Sequence, residues 1–186
     1  MALFTAGQIV QVCGGHTCRI QSYRGSAELG ATRVFIQPKY ANSKFAIEVD
    51  APTNTSDDTD AQNGNSNPYY GLKVQRSINN GSFSDADYLG TDTSGNVNVH
   101  LECSPWRAGP DDGAGTWNAG RRYRMKPVSG HIVDTPSYNL GDFIVYRIYL
   151  QQKNSPFIQF GAPHGFGSDD NYFNFHYGMV VHEITT

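Results

Sequence analysis

Apolar and polar positions alternate along this chain in short runs of period two. Ser43-Lys44-Phe45-Ala46-Ile47-Glu48-Val49-Asp50 is the clearest. Phe45, Ile47 and Val49 point one way; Lys44, Glu48 and Asp50 point the other, with Ala46 on their side. That pattern predicts a strand with one face on a core and one toward solvent. Residues 69–77 repeat it, with Leu72 and Val74 against Lys73 and Gln75, and so do residues 97–101. Residues 32–37, 131–134 and 142–150 read as further strands, the last being the strongest. No segment carries the spacing of a convincing helix.

Turn formers divide these runs. Pro38 closes one strand because it has no amide hydrogen for a ladder. Asn79-Asn80-Gly81 is a strong turn signal. Cys13-Gly14-Gly15-His16 also reads as a turn, after which Thr17 to Tyr23 run back as a hairpin partner. Three stretches are too polar or too rich in Gly and Pro for strands: 52–68, 104–122 and 153–177. The chain begins with a strand at Gly7-Gln8-Ile9-Val10-Gln11-Val12 and ends with one at 178–184. Those two ends look like strands of one sheet. The expectation is therefore all-β: a single antiparallel β-sandwich, jelly-roll-like, of about 8–10 strands, over residues 1–186 as one domain.

Composition narrows the chemistry. Charged residues make up 17% of the chain and the formal net charge is -3, which argues against a nucleic-acid binder resting on a basic face. The first residues have no basic region and no long apolar core, so no secretory signal is expected. No run approaches the length needed to cross a bilayer as a helix, and no membrane insertion is expected. The three cysteines, Cys13, Cys18 and Cys103, are odd in number and suit synthesis in a reducing cytoplasm. Cys13 and Cys18 read as free thiols, with a disulfide across a hairpin or a metal as alternatives.

Candidate catalytic groups are sparse. No Gly-x-Ser-x-Gly elbow is present, and the six histidines form no ligand-type pair. His100 and His182 sit in strand patterns and read as hydrogen-bonded structural histidines. Asp57, Asp58 and Asp60 do not follow the calcium-loop spacing. Asp111-Asp112 and Asp169-Asp170 sit in Gly-rich stretches and read as turn formers. No catalytic residue, metal site or cofactor is expected. The aromatic residues are more informative. Trp106, Arg107 and Trp117 lie in the second long stretch, with Arg121, Arg122, Tyr123 and Arg124 nearby. Phe166, Tyr172 and Phe173 lie in the third. Aromatic and arginine side chains anchor buried interfaces, and aromatic faces stack on sugar rings. These six are the candidate binding residues; the alternative is that they cap the sandwich as local core.

Several elements carry a resemblance. They are Gly7-Gln8-Ile9-Val10-Gln11-Val12, Ile36-Gln37-Pro38 with Ser43-Lys44-Phe45, and Tyr70-Gly71-Leu72-Lys73-Val74-Gln75-Arg76. Asp134-Thr135-Pro136, the run from Gly141 to Ile148, and His182-Glu183-Ile184 continue it. In order, these resemble a β-sandwich domain of virion structural and tail-fibre proteins from marine tailed phages, especially those of cyanobacteria. The resemblance implies a homotrimer on the outside of a virion, synthesised in the host cytoplasm, in contact with other capsid or tail proteins or with host cell-surface glycan. It brings no catalytic or receptor-binding residues. Only about six residues precede the first strand, with no stalk, which favours a head decoration or head fibre beside a receptor-binding fibre tip. The rival expectations are a free lectin-like carbohydrate-binding module and a glycan-degrading enzyme.

Overall fold

The computed structural model describes residues 6–17, 19, 21–56, 69–87, 90–91, 98–103, 123–126, 128–153, 157–161 and 176–186. These contain strands and no helix. In chain order the strands are β1 (Ile9–Thr17), β2 (Gln21–Arg24), β3 (Ala27–Glu28), β4 (Val34–Ile36), β5 (Lys44–Asp50) and β6 (Thr53–Ser56). Next come β7 (Tyr69–Ile78), β8 (Ser84–Asp85), β9 (Gly90–Thr91), β10 (Asn98–Val99) and β11 (Leu101–Cys103). The chain finishes with β12 (Tyr123–Lys126), β13 (Ser129–Asp134), β14 (Ile144–Lys153), β15 (Phe157–Phe160) and β16 (Tyr177–Ile184).

Two four-stranded sheets form one wall. Their orders are β1-β16-β5-β13 and β2-β15-β6-β12, so the second repeats the first strand for strand. Each strand of one sheet is next in sequence to its counterpart in the other. The opposite wall runs β3/β4-β14-β7-β11. Joining the sequential partners gives eight wall strands, ordered first-eighth-third-sixth and second-seventh-fourth-fifth. Every neighbouring pair is antiparallel. This wiring is the jelly roll of two interlocked Greek keys.

The sequence patterns account for the two packed faces. On β5, Phe45, Ile47 and Val49 are buried, as their alternation predicts. They meet Tyr70, Leu72 and Val74 of β7 and Ile144, Tyr146, Ile148 and Leu150 of β14 in one core. Phe45 and Tyr146 touch across it, ring centroids 5.9 Å apart. Full burial of side chains this large contributes about 1.5–3 kcal/mol each. The walls are also cross-linked by polar groups. Asp134, fully buried on β13, pairs with Arg76 of β7 and accepts the Tyr146 hydroxyl at 2.8 Å and the Asp87 amide at 2.9 Å. Burial raises the Asp134 carboxyl above its usual range, outweighing those favourable contacts.

The first and last strands pair as expected, from Ile9 opposite Ile184 to Thr17 opposite Tyr177. The turn at Cys13-Gly14-Gly15-His16 does not form. β1 runs straight through it, and β2 pairs with β15 instead of folding back on β1. Gly15 fits a strand here because the Arg33 and Thr32 carbonyls approach so closely that a Cβ would lie 2.7 Å from the first. The polar stretch read as loop over 52–68 also needs correction. Thr53–Ser56 pairs with both β12 and β15. Within 153–177, Phe157–Phe160 is likewise a strand. Asn79 and Asn80 do turn the chain, both at positive φ, with the Gly81 amide bonding the Ile78 carbonyl at 2.9 Å.

Candidate functional site: the loop-bearing end of the sandwich

Strand register decides where the long connections emerge. Ser56, the last residue of β6, pairs with Tyr123, the first of β12, and with Phe157, the first of β15. Phe157 also pairs with Arg24, where β2 ends. In the other wall, Tyr69 pairs with Lys153 and Tyr70 with Cys103. The strand ends that flank 25–26, 57–68, 104–122 and 154–156 therefore all stand at one end of the sandwich. The opposite end carries 37–43, the segment from Asn79 to His100, and 135–143.

Antiparallel wiring thus brings the strand ends that flank two of the three long polar stretches to one end of the sandwich. Trp106, Arg107 and Trp117 fall in 104–122, outside the described residues. Their flanking residues Cys103 and Tyr123 stand at this end, paired with Tyr70 and Ser56. Asp57, Asp58, Asp60, Asp111 and Asp112 also lie outside the described residues.

The third stretch leaves from a different place. Phe160 and Tyr177 stand on either side of a break in one wall strand. Phe160 pairs with Gln21 and Thr53, and Tyr177 with Thr17. Their rings touch, centroids 5.6 Å apart, and Tyr23 packs edge-on against Phe160 at 5.9 Å. Phe166, Tyr172 and Phe173 belong to the excursion that starts and finishes at this aromatic clasp, and lie outside the described residues, as do His164, Asp169 and Asp170. Phe160 is three residues along β15 from Phe157, so the clasp sits roughly 10 Å down the wall from the loop-bearing end. Sequence reasoning missed Tyr23, Phe160 and Tyr177 as a group; the signal was an aromatic residue on each side of the excursion.

The base of this end is rigid and well paired. Thr53 Oγ1 and the Tyr70 hydroxyl lie 3.1 Å apart inside the core. The Tyr23 hydroxyl donates to Gln21 Oε1 at 2.5 Å and accepts the Gly30 amide at 3.1 Å. Burial raises its pKa, and burial with Tyr23 nearby raises that of Tyr177 further. The Gly25 amide donates to Gln152 Oε1 at 2.9 Å, and the Gln152 amide to Ser26 Oγ at 2.8 Å, bracing the shortest crossing.

The remaining sequence candidates have separate fates. His100 is a bonded structural histidine: Nδ1 accepts the Val74 amide at 3.0 Å, and Nε2 faces the Ala86 and Asp87 carbonyls, each at 3.2 Å. His182 is not. Its ring nitrogens are buried with no hydrogen-bond partner among the described residues, and Glu48 Oε1 lies 3.5 Å from Nε2. Cys13 is a free, half-buried thiol accepting Gln11 Nε2 at 3.3 Å; Cys18 lies outside the described residues. Among the described residues, no group of three or more His, Cys, Asp or Glu is placed to hold a metal ion.

Compared with known proteins, the chain matches no family model and no curated sequence.

Proposed function

We propose that this protein is a non-enzymatic virion component of a tailed phage. In this reading it is a surface-exposed jelly roll whose loop-bearing end meets either neighbouring capsid or tail subunits or host cell-surface glycan. One observation carries the reading: Ser56, Tyr69, Cys103 and Tyr123, the residues that flank 57–68 and 104–122, all stand at the same end of a two-walled core, and both tryptophans belong to the latter segment. A hydrogen-bonded sandwich that carries one polar segment, 57–68, and one with two tryptophans and three arginines, 104–122, suits contact with a partner surface. The sequence resemblance to virion proteins of marine phages supplies the setting. Several copies on one particle would multiply weak contacts through effective concentration.

The test is the composition of a purified particle. Hundreds of copies on the head support decoration or a head fibre; tens or fewer at the tail support host attachment. Absence from any particle overturns the proposal. Glycan-array binding by the free protein would then favour a lectin-like module. Turnover of a surface polysaccharide, abolished by a single carboxylate-to-amide change, would favour an enzyme.

A further inference from the structure

The outer faces of the two walls differ. The face of the β14 wall is occupied by its own side chains. Arg147 lies over the Phe83 ring at 3.8 Å and bonds Glu28 at 2.8 Å. Arg33 bonds Glu28 at 2.6 Å, and Lys73 bonds Asp85 at 3.1 Å. The face of the β1-β16-β5-β13 sheet has a different make-up. Register places Ile9, Ile184 and Lys44 in its first row and Val12, His182, Ala46 and Val133 in its second. Gly14, Val180, Glu48 and His131 form the third; His16, Gly178, Asp50 and Ser129 form the fourth. Ile9, Val12 and Val133 are 53%, 55% and 44% exposed.

We infer that this face pairs two copies of the chain about a two-fold axis. The axis lies between the copies, across the strands, and passes between the second and third rows. Three features of the face complement each other under that operation. Lys44, exposed at one end of β5, comes to oppose Asp50 of the second copy, exposed at the other end. The larger Val12 comes to oppose Gly14. His182, whose Nε2 lies 3.5 Å from Glu48 of its own chain, comes to stand beside the second copy's Val180 and Glu48.

Gly14 is the most telling of these residues. A Cβ there would meet nothing nearer than 3.6 Å, and its φ is not in the left-handed region, so the chain's own packing does not require glycine. A glycine inside a strand without an internal reason marks a close approach by something outside. The face measures roughly 20 Å by 20 Å from strand spacing and rise. Two such faces, with their side-chain relief, reach about the 1,000 Å² that a specific interface needs. The inference stands on this face alone, independently of where the protein works. It gives pairs, where the sequence resemblance implies trimers.

Sedimentation of the full chain over a wide concentration range tests it. The expected mass at high concentration is twice the 20.5 kDa of one chain. Gly14→Val and Val12→Lys should each give single copies while melting near the wild-type temperature. Lys44→Asp should weaken pairing at least about tenfold through like-charge opposition, and Lys44→Asp with Asp50→Lys should bring it back to within about threefold. A single-copy mass throughout, or a three-copy mass, overturns the inference. So does a Gly14→Val protein that still pairs, or a double swap no better than Lys44→Asp. If Gly14→Val fails to fold, the exposed Lys44 and Asp50 exchange still decides.

Discussion

Glu183 offers the sharpest quantitative test of how the last strand holds the sandwich. Its carboxylate is fully buried and makes no ion pair among the described residues. It is held instead by the 37–43 connection. Oε1 accepts the Lys39 amide at 2.8 Å, the Tyr40 amide at 3.1 Å and Ser43 Oγ at 2.8 Å, and Oε2 accepts the Lys39 amide at 3.0 Å. Glu183→Ala strands two backbone donors and leaves Ser43 its weaker bond to the Tyr40 carbonyl at 3.3 Å. Each buried unsatisfied donor costs about 1–3 kcal/mol, so the loss should be about 3–5 kcal/mol. For a domain of this length that is a drop of about 10 °C or more in Tm. Glu183→Gln keeps an oxygen at Oε1 for all three donors and loses charge assistance, costing about 1–2 kcal/mol. Urea unfolding followed by circular dichroism, with an unchanged m-value, measures both. An alanine variant within about 1 kcal/mol of wild type, or a glutamine variant as weak as alanine, would refute the reasoning. The 37–43 connection lies at the end opposite the candidate site, so folded Glu183→Ala protein should bind whatever the wild type binds.

Three further outcomes follow. Burial lowers the His100 pKa below its ordinary value, and Nδ1 can accept the Val74 amide only while unprotonated. The unfolded chain then takes up the proton first, so stability should fall as pH drops below about 6.5, by at most about 1.4 kcal/mol per pH unit, and level off below the folded pKa. His100→Gln should remove that limb; an identical pH profile in the variant would sink the assignment. Gly178→Ala would put a Cβ 2.1 Å from the Gly15 carbonyl oxygen and should cost about 2–4 kcal/mol, whereas Gly14→Ala should cost the isolated chain nothing and gain up to about 1 kcal/mol. Equal unfolding free energies for the two variants would contradict this. The Tyr177 hydroxyl is buried without a hydrogen-bond partner among the described residues, so Tyr177→Phe should leave thermal stability unchanged or raised; a loss above about 1 kcal/mol would mean that the hydroxyl has a partner.

Much of the fold is legible where pattern and burial agree. β5 alternates cleanly and is buried on the predicted face. The apolar ends of the chain do pair. The failures have physical causes. Thr53–Ser56 is too polar to read as a strand, but its backbone is claimed from both sides by β12 and β15. Tyr123–Lys126 alternates over only four residues beside Arg121 and Arg122, too short a run to read as a strand alone, and it pairs with β6. Gly14 and Gly15 give a local turn signal that longer-range pairing with β16 overrides. The candidate binding residues are visible as residue types, but their placement is not. That two long stretches share one end follows from pairings between distant strands, which no local pattern encodes. The aromatic clasp of Phe160 and Tyr177 is hidden for the same reason.

The place of β16 has a consequence for the order in which the protein can form. It sits between β1 and β5, and its Glu183 bonds to Lys39 across 144 positions of chain. During synthesis, β1 and β5 emerge early, with sticky edges facing a gap that nothing yet fills. The wall cannot close until the ribosome has delivered nearly all of the described chain. Such distant pairings fold slowly and leave unpaired edges open to misassembly in the meantime. Until β16 is in place, the nascent chain must keep those edges from pairing with other chains. The yield of soluble protein should depend more on expression temperature and rate than on the stability of the finished sandwich.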